Sequence, residues 1–196
     1  MKKNDRAPQG RFEVVVSGSG GQGIILGGKL LAETAAVFED RQTAMVPCYG
    51  PEVRGGGSTA EIVIDSMPID YPRILRPNIL IAMSQGAMDK YGPLLKPDGL
   101  IIVNNTLVKC VHDSLQNVFA APFTAIAIKA MKTPVVANMI ALGAFSAITH
   151  LIEAEDLKLT LKKYVPLKVL DLDCQAVDQG VKIAMKRNFF WNAKAL

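Results

Sequence analysis

Two glycine-rich stretches hold the residue types that could do chemistry in this chain. Gly18-Ser19-Gly20-Gly21-Gln22-Gly23 keeps the Gly-x-Gly-x-x-Gly spacing of a dinucleotide-binding turn. In such a turn the missing side chains let backbone approach a pyrophosphate, and the free N–H groups of a following helix favour an anion. Gln22 is its one side-chain donor and acceptor. The full fingerprint also asks for an acid at the end of the second strand, to bind a ribose hydroxyl. Here that run ends in Val46-Pro47-Cys48, with Glu39 and Asp40 preceding it. Three readings stay open: a NAD- or FAD-binding turn, a turn required only for helix–strand packing, and a close-approach surface for a partner or an anionic ligand.

The second stretch is Tyr49-Gly50-Pro51-Glu52-Val53-Arg54-Gly55-Gly56-Gly57. Three consecutive glycines carry a large entropic cost on ordering, which a plain connector does not need. Between Tyr49-Gly50-Pro51 and these glycines sit one carboxylate, Glu52, and one guanidinium, Arg54. In isolation such residues are solvated or pair weakly with each other. Pressed against another surface, Arg54 can bind a carboxylate or phosphate through two parallel hydrogen bonds. Asn138 is a third candidate, an amide among Val135, Val136, Met139, Ile140 and Leu142. A buried amide needs a partner, either nearby backbone or an interface. Cys48, beside the second stretch, is the thiol to test for reactivity. His112 next to Asp113 is discounted, since adjacent residues rarely face each other, and His150 reads as a packed or rim histidine.

The elements that must position these residues alternate. Phe12 to Val16 is a β-branched run that reads as a buried strand, and apolar residues from Gly21 to Val37 fall at helical spacing. Strands follow over Thr43–Val46, Ser58–Ile64, Ile79–Met83 and Leu100–Val103. Ser84 is placed to cap a helix that runs to Tyr91. Residues 110–119 read ambiguously; helices are expected over 123–132, 135–151, 154–164 and 174–188. Continuous apolar strands alternating with helices give an α/β fold, a three-layer α/β/α sandwich with a mainly parallel sheet and a Rossmann-like first βα unit. The passage between 43 and 64 is hairpin-like and adds an antiparallel strand. The organisation expected is a flexible basic arm over 1–11 and a single domain over 12–196.

Composition narrows the function classes. With 49% apolar and 20% charged residues among 196, a packed core is expected and wholesale disorder is not. The net charge of +4 divides into +3 over residues 1–11 and +4 over 182–196, which leaves −3 for 12–181. No concentrated basic stripe with interleaved aromatics suggests nucleic acid, and no apolar run reaches the ~18 residues of a membrane span. The basic, polar start lacks the apolar stretch of a secretory signal, so the expected location is the cytoplasm. Cys48, Cys110 and Cys174 are too scattered for a disulfide framework or a cluster held by this chain alone, and with only His112 and His150 a zinc site is equally disfavoured.

Three motifs carry a family resemblance. Gly-Ser-Gly-Gly-Gln-Gly-Ile at 18–24, Tyr-Gly-Pro-Glu-Val-Arg-Gly-Gly at 49–56 and Ala-Asn-Met-Ile-Ala-Leu-Gly-Ala at 137–144 resemble the gamma subunit of 2-oxoacid:ferredoxin oxidoreductases. The likeness is greatest to the 2-oxoglutarate type, with the pyruvate and branched-chain types similar. The resemblance implies oxidative decarboxylation of a 2-oxoacid with coenzyme A, giving an acyl-CoA and CO2 and reducing ferredoxin. It implies that thiamine diphosphate, Mg2+ and iron–sulfur clusters are held by alpha and beta companions, with a ferredoxin-like delta subunit in some assemblies. This chain alone is then expected to be inactive. Gly18, Gly20, Gly21, Gln22, Gly23, Tyr49, Gly50, Pro51, Glu52, Arg54, Gly55, Gly56 and Asn138 become the cofactor-binding or interface candidates, with none catalytic and none ligating metal. Apolar content and eight methionines suggest surface that expects cover, including a homodimer of the isolated chain. The rival readings are a stand-alone nucleotide-binding protein and a purely structural subunit.

Overall fold

The computed structural model describes residues 8–50, 56–112, 115–189 and 191. In chain order it contains β1 (Phe12–Ser19), α1 (Ile24–Phe38), β2 (Gln42–Tyr49), β3 (Gly57–Asp65), β4 (Ile79–Ala82), α2 (Gln85–Tyr91), a 3-10 turn (Gly92–Leu94), β5 (Leu100–Asn104) and β6 (Asn117–Ala121). Four helices follow: α3 (Phe123–Met131), α4 (Ala137–Thr149), α5 (Ala154–Tyr164) and α6 (Leu167–Lys186). The six strands form one sheet in the order β2-β3-β1-β4-β5-β6. β1, β4, β5 and β6 are mutually parallel, whereas β3 is antiparallel to both of its neighbours, β1 and β2. The expected antiparallel strand is therefore β3.

Strand alternation builds both faces of the sheet. Val14, Val16, Ile62, Ile64, Ile79, Ile81, Leu100 and Ile102 turn to one face, where α1, α3, α4, α5 and α6 cover them. Val15, Leu80, Ala82, Ile101 and Val103 turn to the other, where Ala87, Met88 and Tyr91 of α2 meet them. Three layers result, with most of the helical mass on one side. Each fully buried Ile or Leu removes its side chain from water for about 1.5–3 kcal/mol. In α4 only Ala147 escapes full burial, so this helix is apolar all round because every side of it is covered.

Local signals explain the element ends. Ser84 Oγ accepts a hydrogen bond from Ala87 N at 3.3 Å, which caps α2 as the serine's placement suggests. Pro47 lies within β2, which is an edge strand and therefore tolerates a missing donor. The expected helix at 174–188 starts seven residues earlier, at Leu167, because Leu170, Ala176, Val177, Gly180 and Ala184 form one continuous buried stripe. The ambiguous stretch before Phe119 contains the start of β6.

After α6 the chain turns back across the sheet. Phe189 packs edge-on against Phe119 of β6 with ring centroids 5.5 Å apart. Trp191 meets Phe12 of β1 at 6.5 Å and donates its indole N–H to Asp98 O at 3.0 Å. Within the basic arm, Pro8 O accepts a hydrogen bond from Arg41 Nη2 at 2.6 Å, and Arg11 donates to Glu13 and to Tyr71 O.

Candidate functional site

Both glycine stretches lie on one rim. The turn after β1 and the mouth of the β2–β3 hairpin meet there, with Gly18 opposite Ser58 and Ser19 opposite Gly57. Gly20 N donates to Gly56 O at 3.0 Å, and Gly50 N donates to Gly57 O at 2.7 Å. The two turns are thus joined backbone to backbone. Pro51, Glu52, Arg54 and Gly55 lie outside the described residues, while Tyr49, Gly50 and Gly56 stand at the margins of that stretch. Tyr49, at the end of β2, is 71% exposed.

The first turn holds its shape through its own atoms. Gly21 and Gly23 have φ of 84° and 68°, in the left-handed region where a Cβ is strained. A Cβ on Gly23 would also strike the Asn138 amide. Asn138 is buried and donates from Nδ2 to Gly23 O at 3.1 Å, while its Oδ1 accepts from Met139 N at 2.8 Å. This amide bonds backbone on both sides and ties the start of α4 to the start of α1. Gln22 likewise bonds inward, accepting from Ser19 N and donating to Met83 O.

Two recesses open beside the turn. One, of about 240 Å3, is lined by Gly20, Gly21 and Gln22 together with Met83, Leu107 and Val135. The other, of about 620 Å3, runs from Ser17, Gly18 and Ser19 past Cys48, Tyr49 and Gly50 to Ser84 and Lys90. On its floor Ser17 and Thr59 share a hydrogen bond of 2.8 Å. Lys90 supplies a cation and the hydroxyls supply donors, a set suited to an anionic or polar surface. Nothing in the sequence alone singles out Lys90, Thr59, Leu107 and Val135 as lining these recesses. Leu107 and Val135 are 42% and 62% exposed, and only tertiary placement brings them to the rim.

Among the described residues no group of three or more His, Cys, Asp or Glu side chains could hold a metal ion, and Cys48, Cys110 and Cys174 are all free thiols. These residues do not fit an iron–sulfur or Mg2+ site. Among the described residues no helix is long and apolar enough to cross a membrane.

The fold and rim define an α/β domain of three layers whose two glycine turns are joined at the carboxyl end of its parallel strands. The end of the second strand, which lacks the acid of a dinucleotide fingerprint, is not next to β1 in this topology, because β3 lies between them. The chain belongs to the pyruvate ferredoxin/flavodoxin oxidoreductase family, whose profile matches residues 13–183. It is 37% identical over 185 residues to the 2-oxoglutarate synthase subunit KorC of Methanocaldococcus jannaschii, covering 92% of this chain and 98% of that one. Its fold is similar to the crystal structure of a keto/oxoacid ferredoxin oxidoreductase gamma subunit from Geobacter sulfurreducens, with a TM-score of 0.81 and 33% identity over 90% of this chain and 98% of that one. The 2-oxoglutarate:ferredoxin oxidoreductase of Magnetococcus marinus shares the fold at a TM-score of 0.81 and 23% identity; the match covers 96% of this chain and 34% of that longer one.

Proposed function

We propose that this chain is the gamma-type subunit of a heteromeric 2-oxoacid:ferredoxin oxidoreductase, with 2-oxoglutarate as the substrate of the assembled enzyme. The observation that carries this reading is 37% identity spread over 92% of this chain and 98% of a KorC subunit. The assembled enzyme decarboxylates the 2-oxoacid, transfers the acyl group to coenzyme A and passes two electrons to ferredoxin. Thiamine diphosphate, Mg2+ and iron–sulfur clusters belong in this reading to the alpha and beta companions, with a ferredoxin-like delta chain where one exists. The chain itself acts in the cytoplasm without a redox centre of its own.

The rim supports a role at the junction with those companions. Exposed Tyr49, Leu107 and Val135 beside backbone-dense glycine turns make a surface suited to close cover. Arg54, by its residue type, is the contact for an acidic group, whether a companion's carboxylate or a coenzyme A phosphate. The experiment is reconstitution: the companion chains are purified with and without this subunit, and ferredoxin reduction dependent on 2-oxoglutarate and coenzyme A is followed. Activity is expected only when the subunit is present, and Arg54→Ala is expected to weaken assembly or raise the KM for coenzyme A. Full activity of the companions alone, or turnover by this chain alone, overturns the reading.

A further inference from the structure

We infer that the side chain of Gln22 is the resident ligand of the glycine turn, and that the chain takes no dinucleotide at this place. The turn sits where a doubly wound sheet ordinarily receives one. The connection after β1 runs through α1 on one face, and that after β4 runs through α2 on the other, so the strand ends diverge between β1 and β4. Such a switch point leaves a crevice beyond the carboxyl ends of the strands, and ligands bind in it.

Gln22 bridges that crevice. Its Oε1 accepts from Ser19 N, at the end of β1, at 2.7 Å. Its Nε2 donates to Met83 O, just past the end of β4, at 3.2 Å. Met83 N in turn donates to Ser17 O at 2.8 Å, which closes the bridge on itself. A Cβ on Gly18 would strike Gln22 Oε1, so the glycine at 18 makes room for a side chain of this protein rather than for a pyrophosphate.

The chemistry of the two strand ends matches a carboxamide and rejects a phosphate. Ser19 offers a donor and Met83 an acceptor, and one primary amide satisfies both at once. A phosphoryl oxygen could replace the amide at Ser19 N but would face the Met83 carbonyl, acceptor against acceptor. Gly20 N is spent on Gly56 O and Gln22 N on Ser19 O at 3.3 Å, so three donors of the turn are already engaged. The recess beside Gly20–Gln22 and Met83, at about 240 Å3, is smaller than typical small-molecule sites, and in the larger one of about 620 Å3 the Ser19 N–H is already held by Gln22. Gln22 is therefore a positioning residue that presets the turn before any companion arrives. This holds whether or not the companions are those named above.

The test uses amide-resolved NMR on the full 196-residue chain. Titrating the wild type with NAD, ADP or inorganic pyrophosphate is expected to leave the signals of Ser19, Gly20 and the Gln22 side-chain amide in place. Saturable shifts of those signals overturn the inference. Gln22→Met keeps the bulk and removes both hydrogen bonds, and it is expected to speed hydrogen exchange at Ser19 N about tenfold, the factor a single hydrogen bond supplies. Exchange at Val16 N, inside β1, is expected to stay as in wild type. Gln22→Glu keeps the acceptor and is expected to protect Ser19 N more than Gln22→Met does. Equal exchange at Ser19 in wild type and Gln22→Met overturns the inference as well.

Discussion

Asn138 shows how a polar residue in an apolar helix joins two elements. Its two hydrogen bonds, to Gly23 O and from Met139 N, are lost together if the amide is removed, leaving Gly23 O with Gly27 N alone and Met139 N with Val136 O alone. Asn138→Ala is expected to cost about 1–3 kcal/mol, read as a lower midpoint in urea denaturation at unchanged slope. That this amide needs a partner is legible in the sequence. Which partner is not, because Gly23 lies 115 residues away and nothing local to the helix points to it. Asp173 carries a different signal. Burial within α6 raises its carboxyl above the ordinary 3.8. For an acid raised in the folded state, the stabilising contribution is complete below the unfolded pKa and is lost as pH rises through the folded one. Asp173→Asn is therefore expected to raise Tm at about pH 7, with the gain vanishing below the unfolded value; thermal melts across pH check both halves. An equal Tm at neutral pH would contradict it.

The element scale is governed by where backbones come close. α4 and α6 pack at Gly143 and Gly180: a Cβ on Gly143 would strike the Val177 carbonyl, and one on Gly180 would strike the Ile140 carbonyl. The obstruction is backbone on each side, so no side chain can swing away. Gly143→Ala is expected to cost about 1–3 kcal/mol through overpacking, a fall in Tm of roughly 2–12 °C for a chain of this size. A scanning calorimetry trace superimposable on wild type would show that the helices can separate without loss. Helices α2, α3 and α5 are legible from capping, proline and spacing signals. The true start of α6 is less so, because Lys168, Asp171 and Asp173 interrupt the apolar run ahead of Cys174. The buried stripe only becomes plain once α4 shows which side is covered.

At the scale of the molecule, the three layers and the antiparallel strand follow from apolar strands alternating with helices. The strand order does not. A local pattern cannot show that β2 goes to the edge and leaves β3 beside β1, since that is decided by which faces the crossovers must cover. The joining of the two glycine turns is a product of that order, because β3 delivers Gly56 and Gly57 to Gly20 and Ser19. Candidate residues could thus be chosen from the sequence, while their meeting on one rim depended on topology.

The aromatic return after α6 bears on how this protein is made. Trp191 rests on Phe12, and Phe189 on Phe119, so β1 and β6 are completed by side chains that follow α6, far along the chain. Contacts of such long sequence separation form late and slowly. A folding chain that has not yet docked Phe189 and Trp191 leaves the rings of Phe119 and Phe12 less covered at one end of the sheet. During folding that end is where a chaperone would find something to hold.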